Sequence, residues 1–277
     1  PHDKDALDIS LTVSGMLGAH PVPLLQTMRK TVVDGSNTSG FQRTTLVATD
    51  GVLETEGGPV GIDVLCLEED SARKLDSELT TSGEVVTWNL DRLGIPLIEI
   101  ATAPDIKNPD HAKQTSIALG RTLRDTRRVR RGLGSIRQDL NVSIMCGDRV
   151  EIKGCQDLEW IPRIIRCEMA RQLHFYRLAN QLREMHGLPS LPNDRREESE
   201  SIEDQVNKIL PLKLVDVTSR FTSCNSNRVK HGLSEKSVML ALPLPGFSGL
   251  IGTKKFDADG AQMPRLGREL AGAAKLA

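Results

Sequence analysis

The sequence has few aromatic residues and lacks the features that define several classes of protein. Phe, Trp and Tyr together make up 3% of its 277 residues. No apolar run reaches the roughly 18 residues that a transmembrane helix needs, and no basic-then-apolar signal sequence occupies the amino end. We therefore expect a cytoplasmic protein with no membrane partner.

Cysteine and histidine occur, but not at the spacings used by disulfide frameworks or zinc sites. The five cysteines are odd in number, scattered and never spaced C-x-x-C, which indicates free thiols. The six histidines form no H-x-x-x-H pair. The motifs G-x-x-x-x-G-K-[ST] and G-x-G-x-x-G are also absent, so any ATP site is of neither the Walker nor the Rossmann kind.

The charges nearly cancel, with 36 basic and 37 acidic residues. The chain as a whole therefore has no electrostatic basis for binding nucleic acid, and any RNA contact must use a local patch. A composition of 38% apolar and 26% charged residues is typical of a folded protein. The length fits one large domain plus part of a second. Both ends look cut, because Pro1 is not an initiator and the helix predicted over residues 266–277 lacks a stop signal.

Local patterns predict an α+β fold with a mixed, largely antiparallel sheet and flanking helices. Helices are predicted over residues 5–17, from Asn108-Pro109-Asp110 to about Arg127, and after Asp157. The predicted strands are residues 44–48 and 52–55, joined by an Asp50-Gly51 turn, and residues 61–67, 84–90, 95–101, 135–144 and 149–153.

The later part of the chain changes in composition. Residues 193–205 are dense in charge and indicate a linker or an exposed insertion. A strand-like pattern resumes over residues 212–217, and the Pro- and Gly-rich sequence from about residue 237 predicts a second domain. The predicted domains are therefore 1–236 and 237–277.

Residues 135–144 alternate strictly, which places two kinds of side chain on opposite faces of a strand. One face carries apolar residues; the other carries Ser135, Arg137, Asp139, Asn141 and Ser143. On the neighbouring predicted strand, Arg149, Glu151 and Lys153 also point away from the core. This polar face is either the solvated side of an antiparallel sheet or a working surface.

Three glutamates are the sharpest candidates for chemistry. Glu99 interrupts the apolar run 95–101, and a buried carboxylate costs several kcal/mol unless it is paired. It is therefore expected either in an ion pair with an arginine such as Arg92 or in a metal or catalytic role. Glu68, Glu69 and Asp70 end another apolar strand, and one of the two glutamates shares a face with Cys66. Such carboxylates suit Mg²⁺ and phosphates, or simply mark an acidic strand exit into solvent.

Two further segments could bind anions. The polar loop 34–43 contains Ser36 and Asn37 and is bracketed by Lys30 and Arg43, which suits a phosphate-binding loop or an ordinary polar turn. Six arginines are concentrated at a predicted helix end and the following loop, where they could meet phosphates or be merely solvated. They are Arg121, Arg124, Arg127, Arg128, Arg130 and Arg131.

Five strings in order resemble the B/E subunit family of glutamyl-tRNA(Gln) amidotransferases, in its archaeal E form. They are MRKTVVDGSNTSGFQRT (28–44), LCLEED (65–70), DRLGIPLIEI (91–100), RGLGSIRQDLNVSI (131–144) and RVEIKGCQDLEWIP (149–162). LPGFSGLIG (244–252) and GREL (267–270) resemble the start of the inserted, aspartyl-tRNA synthetase-like α+β domain that the B form lacks.

The resemblance implies a cradle-shaped catalytic domain, similar in core to glutamine synthetase, over residues 1–236. It implies an ATP-dependent carbon-nitrogen ligase that uses ATP and Mg²⁺ to phosphorylate the γ-carboxylate of glutamate on tRNA(Gln), after which ammonia displaces the phosphate. The family's partners are glutamyl-tRNA(Gln) and an asparaginase-like D subunit that supplies ammonia, in a heterotetramer.

The resemblance also assigns roles to residues of this chain. The implied metal ligands are Glu68, Glu69 and Glu99; the implied catalytic residues are Glu68, Glu99, Arg137, Asp139 and Lys153; the implied nucleotide contacts are Lys30, Ser36, Asn37, Arg43, Asn141 and Glu151. The family's opening G-L-E-I-H strand, which supplies further metal ligands, and its carboxy-terminal tRNA-binding domains have no counterpart here. The fragment is therefore expected to be inactive alone.

Two other functions fit parts of the sequence. A non-catalytic tRNA-binding or scaffold subunit would use the arginines and have no ATP site; Glu99 salt-bridged and sealed from any cleft would favour it. A glutamine synthetase-type enzyme acting on a small free amino acid is disfavoured by the insertion-like segment from residue 237.

Overall fold

A computed structural model describes residues 2–80, 83–197, 204, 213–252 and 265–276. The chain divides into two compact units: unit 1 comprises residues 1–140 and 152–165, and unit 2 comprises residues 141–151 and 166–277. The domain boundary expected between residues 236 and 237 lies inside unit 2 and stays a prediction. Within the described ranges, no helix is both long and apolar enough to cross a bilayer.

Unit 1 is built on a five-stranded antiparallel sheet, as predicted. Its strands are β1 (His20–Pro21), β2 (Thr27–Thr31), β3 (Phe41–Leu53), β4 (Val60–Glu69) and β7 (Pro96–Thr102). Their order is β1-β3-β4-β7, and β2 also pairs with β3. Every pairing in this sheet is antiparallel, which confirms the α+β class and the strands expected near residues 61–67 and 95–101.

The predicted turn at Asp50-Gly51 is wrong, because β3 runs through both residues. The chain turns into β4 after Leu53 instead. Gly51 serves a close contact: a Cβ atom there would lie 2.9 Å from the Ala19 Cβ and 3.0 Å from the Leu17 carbonyl oxygen. The next residue, Val52, donates its N–H to the same carbonyl at 2.8 Å. Glycine is therefore required by packing and not by a turn.

Two helices cover one face of this sheet. Helix α1 (Lys4–Met16) begins after Asp3, whose carboxylate accepts the Ala6 N–H at 2.8 Å. Helix α2 (Pro109–Asp125) begins after Asn108, whose side chain accepts the His111 N–H at 2.9 Å. Both helices agree with the local signals that predicted them.

The core of unit 1 lies between these helices and the sheet. It contains Val13 and Leu17, and the strand residues Val47, Ala48, Leu65 and Leu67; Ile98, Ile100 and Leu119 pack against it. Since alternate strand residues face opposite ways, the residues between them face the other side. We call that second side the open face of the sheet, because Lys30 and Glu99 on it are 42% and 47% exposed, although Thr44 and Cys66 there are buried.

Two strand predictions need correction, and one strand was not predicted. The strands expected over residues 135–144 and 149–153 shrink to the short pair β8 (Leu140–Val142) and β9 (Val150–Ile152). Gly132 and Gly134 adopt φ values of 114° and 77°, and Gln138 donates to the Cys155 carbonyl at 2.9 Å, so the backbone before β8 is irregular. Strand β5 (Arg73–Thr80), which pairs with β6 (Gly83–Asn89), was not predicted, because only two of its eight residues are apolar.

Unit 2 contains most of the long predicted helix after Asp157, α3 (Ile161–Met185), together with α4 (Asn227–Ser234) and α5 (Leu266–Leu276). Strands β10 (Val215–Asp216) and β11 (Leu240–Ala241) form an antiparallel pair, so the strand expected over 212–217 is shorter than predicted. Of the segment 193–205, residues 198–203 and 205 lie outside the described residues, and Arg195–Glu197 form a short 3-10 helix. The five cysteines are free thiols, as expected.

Candidate active site

The strand register brings two of the predicted acids to the open face of the sheet. Thr44 on β3 is opposite Glu68 on β4, and Cys66 on β4 is opposite Glu99 on β7. Residues two apart on one strand share a face, so Glu68 and Glu99 lie on the same side. Their neighbours Leu67 and Ile98 face the core. Two carboxylates that are distant in sequence therefore meet on one surface.

Lys30 on β2 joins the two carboxylates. Its Nζ atom lies 2.7 Å from Glu68 Oε1 and 3.3 Å from Glu99 Oε2. Thr44 donates its hydroxyl to the same Glu68 oxygen at 2.8 Å. The side chains of Lys30 and Glu99 are 42% and 47% exposed, whereas that of Glu68 is 13% exposed. The cluster is therefore open to a ligand, with Glu68 as its fixed member.

Charge and burial set the protonation of this cluster. Burial opposes the charged form of Lys30, but hydrogen bonds and charge attraction from Glu68 and Glu99 outweigh it and raise the pKa of the ammonium group. Burial, followed by the negative charge of Glu99, raises the pKa of the Cys66 thiol. Both shifts act in the same sense: they favour the protonated ammonium of Lys30 and the protonated thiol of Cys66.

The expectation that Glu99 is buried is wrong. The apolar run 95–101 belongs to a strand with one covered and one open face, and Glu99 lies on the open one. Its cationic partner is Lys30 and not Arg92. Arg92 instead donates to the Ser71 carbonyl at 2.8 Å and lies 3.9 Å from Asp70.

Glu69 lies on the other face of β4, so the prediction that one of the two glutamates shares a face with Cys66 is confirmed. Glu69 pairs with Arg43, whose Nε atom is 2.7 Å from it. The described residues contain no group of three His, Cys, Asp or Glu side chains arranged to hold a metal ion. Glu68, Glu69 and Glu99 therefore do not form one cluster, and a metal role for them stays a prediction.

The loop between β2 and β3 is held by its own polar groups. Ser36 donates its hydroxyl to Asp34 at 2.6 Å, a contact that lowers the pKa of that carboxyl. Asn37 donates to the Ser71 hydroxyl at 2.9 Å, and both Ser36 and Asn37 are buried. The side chains expected to bind nucleotide thus position the loop, and their contact with a ligand stays a prediction.

Asp70 is a site residue that the sequence placed in the acidic strand exit without a role of its own. It is buried, and Arg137 Nη2 lies 2.9 Å from its Oδ2 atom. Backbone bonds of 2.8 and 2.9 Å to Ile95 and Gly94 fix its position just beyond β4. The sequence did contain an indication of this role: Asp70 is two residues after Glu68, and residues two apart along a strand point to the same side. Asp70 therefore orients the guanidinium group of Arg137.

The remaining predicted residues lie along and beside the short β8–β9 pair. Lys153 Nζ lies 3.4 Å from Asp139 Oδ2, and the Gly154 N–H donates to the other carboxylate oxygen at 3.4 Å. Asn141 and Glu151 are exposed and belong to unit 2, whereas Asp139 and Lys153 belong to unit 1.

The fold and the site define a class: an α+β domain whose antiparallel sheet is covered by helices on one face and carries acids and cations on the other. A family model for the GatB/GatE catalytic domain matches residues 1–261, so the chain belongs to that family.

Curated relatives agree with this membership. The E subunit of the glutamyl-tRNA(Gln) amidotransferase from Methanocaldococcus jannaschii is 45% identical over 253 residues, which cover 91% of this chain and 36% of the relative. The E subunits from Pyrococcus horikoshii (45% over 250 residues; 90% and 36%) and Thermococcus gammatolerans (44% over 273 residues; 99% and 39%) are similar. The chain thus spans a little over a third of the length of these relatives.

Proposed function

We propose that this chain is the catalytic part of an E-type amidotransferase subunit that converts glutamyl-tRNA(Gln) into glutaminyl-tRNA(Gln) with ATP. The observation that carries the proposal is the Lys30, Glu68 and Glu99 cluster on the open sheet face of a GatB/GatE family member. A cradle-shaped domain similar to glutamine synthetase, acting in the cytoplasm, is part of this proposal. So are an asparaginase-like D subunit that supplies ammonia and a heterotetrameric assembly.

The proposed reaction has two steps that together form one carbon–nitrogen bond. First, a γ-carboxylate oxygen of glutamate attacks the γ-phosphorus of ATP; the bond from phosphorus to the bridging oxygen breaks, and ADP leaves. Ammonia then attacks the acyl carbon, the carbon–oxygen bond to phosphate breaks, and the nitrogen releases a proton. Such an enzyme is a carbon-nitrogen ligase, and its protein groups act by positioning anions and balancing charge.

The residues present fit a magnesium ion. Mg²⁺ is commonly held by one or two carboxylates together with substrate phosphates. The carboxylates of Glu68 and Glu99 already approach a single cationic atom, the Lys30 Nζ, so they are placed to share a cation. When bound, Mg²⁺ would draw charge from the transferring phosphoryl oxygens.

The cations of the chain would orient the phosphates. The Lys30 side chain is half-exposed, and its ammonium group is carried on a flexible alkyl chain. It can therefore exchange its carboxylate partners for phosphate oxygens. The buried Asp70 binds the guanidinium group of Arg137 and holds this planar group in a fixed orientation. Lys153 beside Asp139 adds a third cation. Thr44 keeps Glu68 in place while Lys30 moves.

The alternative function is a non-catalytic tRNA-binding or scaffold subunit. On the sequence alone, that function required a Glu99 that is both salt-bridged and sealed away from any cleft. Glu99 is paired with Lys30, which meets the first condition, but its side chain is 47% exposed. A ligand can therefore reach this pair, which favours the catalytic function.

Amidation assays on full-length protein with its ammonia-supplying partner test the proposal. We expect Glu68→Gln and Glu99→Gln each to lower the rate by about 100-fold or more, because the loss of one carboxylate from an ion site costs several kcal/mol in the transition state. The matched control is Glu159→Gln, an exposed glutamate paired with Lys113, which should change the rate by less than about twofold. Folding is verified by thermal unfolding. Undiminished amidation in both site variants would contradict the proposal.

A further inference from the structure

The segment from Arg121 to Arg131 is the densest positive charge in the chain. It contains six arginines against one acid, Asp125, a net charge of +5 in a protein whose total is −1. All six arginines are exposed. Because the acids that balance the chain lie elsewhere, this charge is a local property and not a consequence of overall composition.

The segment is held in place by the end of α2. Thr126 donates its hydroxyl to the Leu123 carbonyl at 2.7 Å and accepts the Arg128 N–H at 3.2 Å. Arg127 lies two residues beyond the end of α2 and has a φ of 58°. The backbone around Arg127 and Arg128 is thus fixed by contacts within the chain, which reduces the entropy lost on binding.

Ion pairing accounts for one of the six arginines. Arg128 forms a close ion pair with Asp8 and lies 3.9 Å from Asp5, both on α1. In the part of the chain that the structure describes, no acid lies within ion-pair distance of Arg121, Arg124, Arg127, Arg130 or Arg131. Arg128 therefore anchors the segment to α1 and leaves five guanidinium groups to solvent.

A leucine projects into solvent beside these arginines. Leu133 is fully exposed, with a relative accessibility of 103%. It is flanked by Gly132 and Gly134, and Ser135 donates its hydroxyl to the Gly132 carbonyl at 2.7 Å, which closes the turn. The turn thus presents an apolar side chain fully to solvent.

We propose that Arg121, Arg124, Arg127, Arg130, Arg131 and Leu133, the arginine surface, bind the RNA of the substrate. The arginines contact backbone phosphates, and Leu133 packs against a sugar or an unstacked base. The inference rests on the proposed function, which requires a tRNA substrate, and adds the part of the chain that holds it.

Charge complementarity favours RNA over the other anions this protein could meet. Five exposed guanidinium groups distributed along a helix end and a loop match a string of phosphates, which arginine binds through planar, bidentate contacts. A single triphosphate would engage only part of them. Exposed apolar side chains beside such cations commonly pack on bases or sugars.

The salt dependence of tRNA binding tests the arginine surface. With full-length protein and a fluorescent tRNA(Gln) transcript, Kd is measured at salt concentrations from about 50 to 300 mM. Replacing Arg121, Arg124, Arg130 and Arg131 by Gln should raise Kd at least about tenfold and reduce the slope of log K against log salt by about 3, because each lost phosphate contact removes about 0.7 to 0.9. Leu133→Ser should weaken binding severalfold without changing the slope.

The matched control removes the same charge elsewhere. Gln replaces the exposed cations Arg73, Arg228, Lys230 and Arg268, and the slope should stay at the wild-type value. An equal loss in the control, or an unchanged slope in the surface variant, overturns the inference. The inference is also overturned if the surface variant binds tRNA normally but has a raised KM for ATP or no longer binds its partner subunit. If wild-type protein binds tRNA with the expected slope but does not amidate it, the proposed function fails while the surface stands.

Discussion

At the scale of single residues, the chemistry of this chain is organised as ion pairs that connect distant segments. Lys30 meets Glu68 and Glu99, which are 38 and 69 residues away. Arg137 meets Asp70, 67 residues away. In both pairs the cation is about 40% exposed, whereas Glu68 and Asp70 are largely buried. Each buried carboxylate therefore holds a cation whose charged end can still reach a ligand, which fits a binding site.

The proposed exchange of partners by Lys30 predicts a change in its reactivity. Without ligands, the two carboxylates raise the pKa of Lys30, which keeps the amine protonated and slow to react. We expect added Mg²⁺ to speed the acetylation of Lys30 severalfold, because the carboxylates then have another cation to bind. A non-hydrolysable ATP analogue added with Mg²⁺ should slow it again. Mass spectrometry of peptides after brief acetic anhydride treatment measures both changes.

Lys113 is the internal control for this experiment, because it is also paired with one glutamate, Glu159, at 2.6 Å. Its acetylation should not respond to Mg²⁺ or nucleotide. Lys30 reactivity that stays constant in all three conditions would show that its ion pair is purely structural.

At the scale of elements, close packing decides positions that local signals do not. The end of α1 approaches β3 so closely that Gly51 has no room for a side chain. Gly51→Ala should therefore lower the free energy of unfolding by about 1 to 3 kcal/mol, the usual cost of overpacking. Urea unfolding measures the change as a lower midpoint with an unchanged m-value.

Gly15 provides the matched control in the same unit. It lies within α1, and an added Cβ would have no neighbour within 4 Å. Gly15→Ala should raise the free energy of unfolding by roughly 0.5 to 1 kcal/mol, because alanine is the better helix former. Equal effects of the two substitutions would refute the packing explanation for Gly51.

The same contrast explains which elements could be predicted. Helices α1 and α2 are marked by their own caps, Asp3 and Asn108, which act within a few residues. The Asp50-Gly51 sequence was wrongly interpreted as a turn, because glycine is needed there to leave room for Ala19, which is distant in sequence. Strand β5 was missed because only two of its eight residues are apolar. Strand β8 is shorter than predicted because strict alternation also occurs in irregular backbone.

The candidate site was predictable in its residue types but not in its pairings. Glu68, Glu99, Lys30 and Arg137 were all identified as candidates. That Glu99 is open and pairs with Lys30 depends on which face of β7 the helices cover, and periodicity in an apolar strand does not fix this. Asp70 was missed as a partner because the pairing arises from tertiary structure.

At the scale of the whole molecule, charge is separated while the net charge stays near zero. The formal total is −1, yet the sheet face combines acids with cations and the arginine surface is strongly basic. Such a division fits the proposed function, in which the sheet face would bind a nucleotide with its metal ion and the arginine surface a polyanion. This chain covers only 36 to 39% of the length of its relatives, and over that part it is 44 to 45% identical to them.

An isotope-transfer experiment tests the proposed phosphoryl intermediate most directly. Glutamyl-tRNA(Gln) with ¹⁸O in both γ-carboxylate oxygens is amidated by the full-length enzyme with ATP and ammonia, and the released phosphate is analysed by mass spectrometry. The proposed mechanism predicts one ¹⁸O atom in each phosphate, because the carboxylate oxygen that attacks phosphorus leaves with it. Phosphate free of ¹⁸O, formed together with glutaminyl-tRNA(Gln), would contradict it.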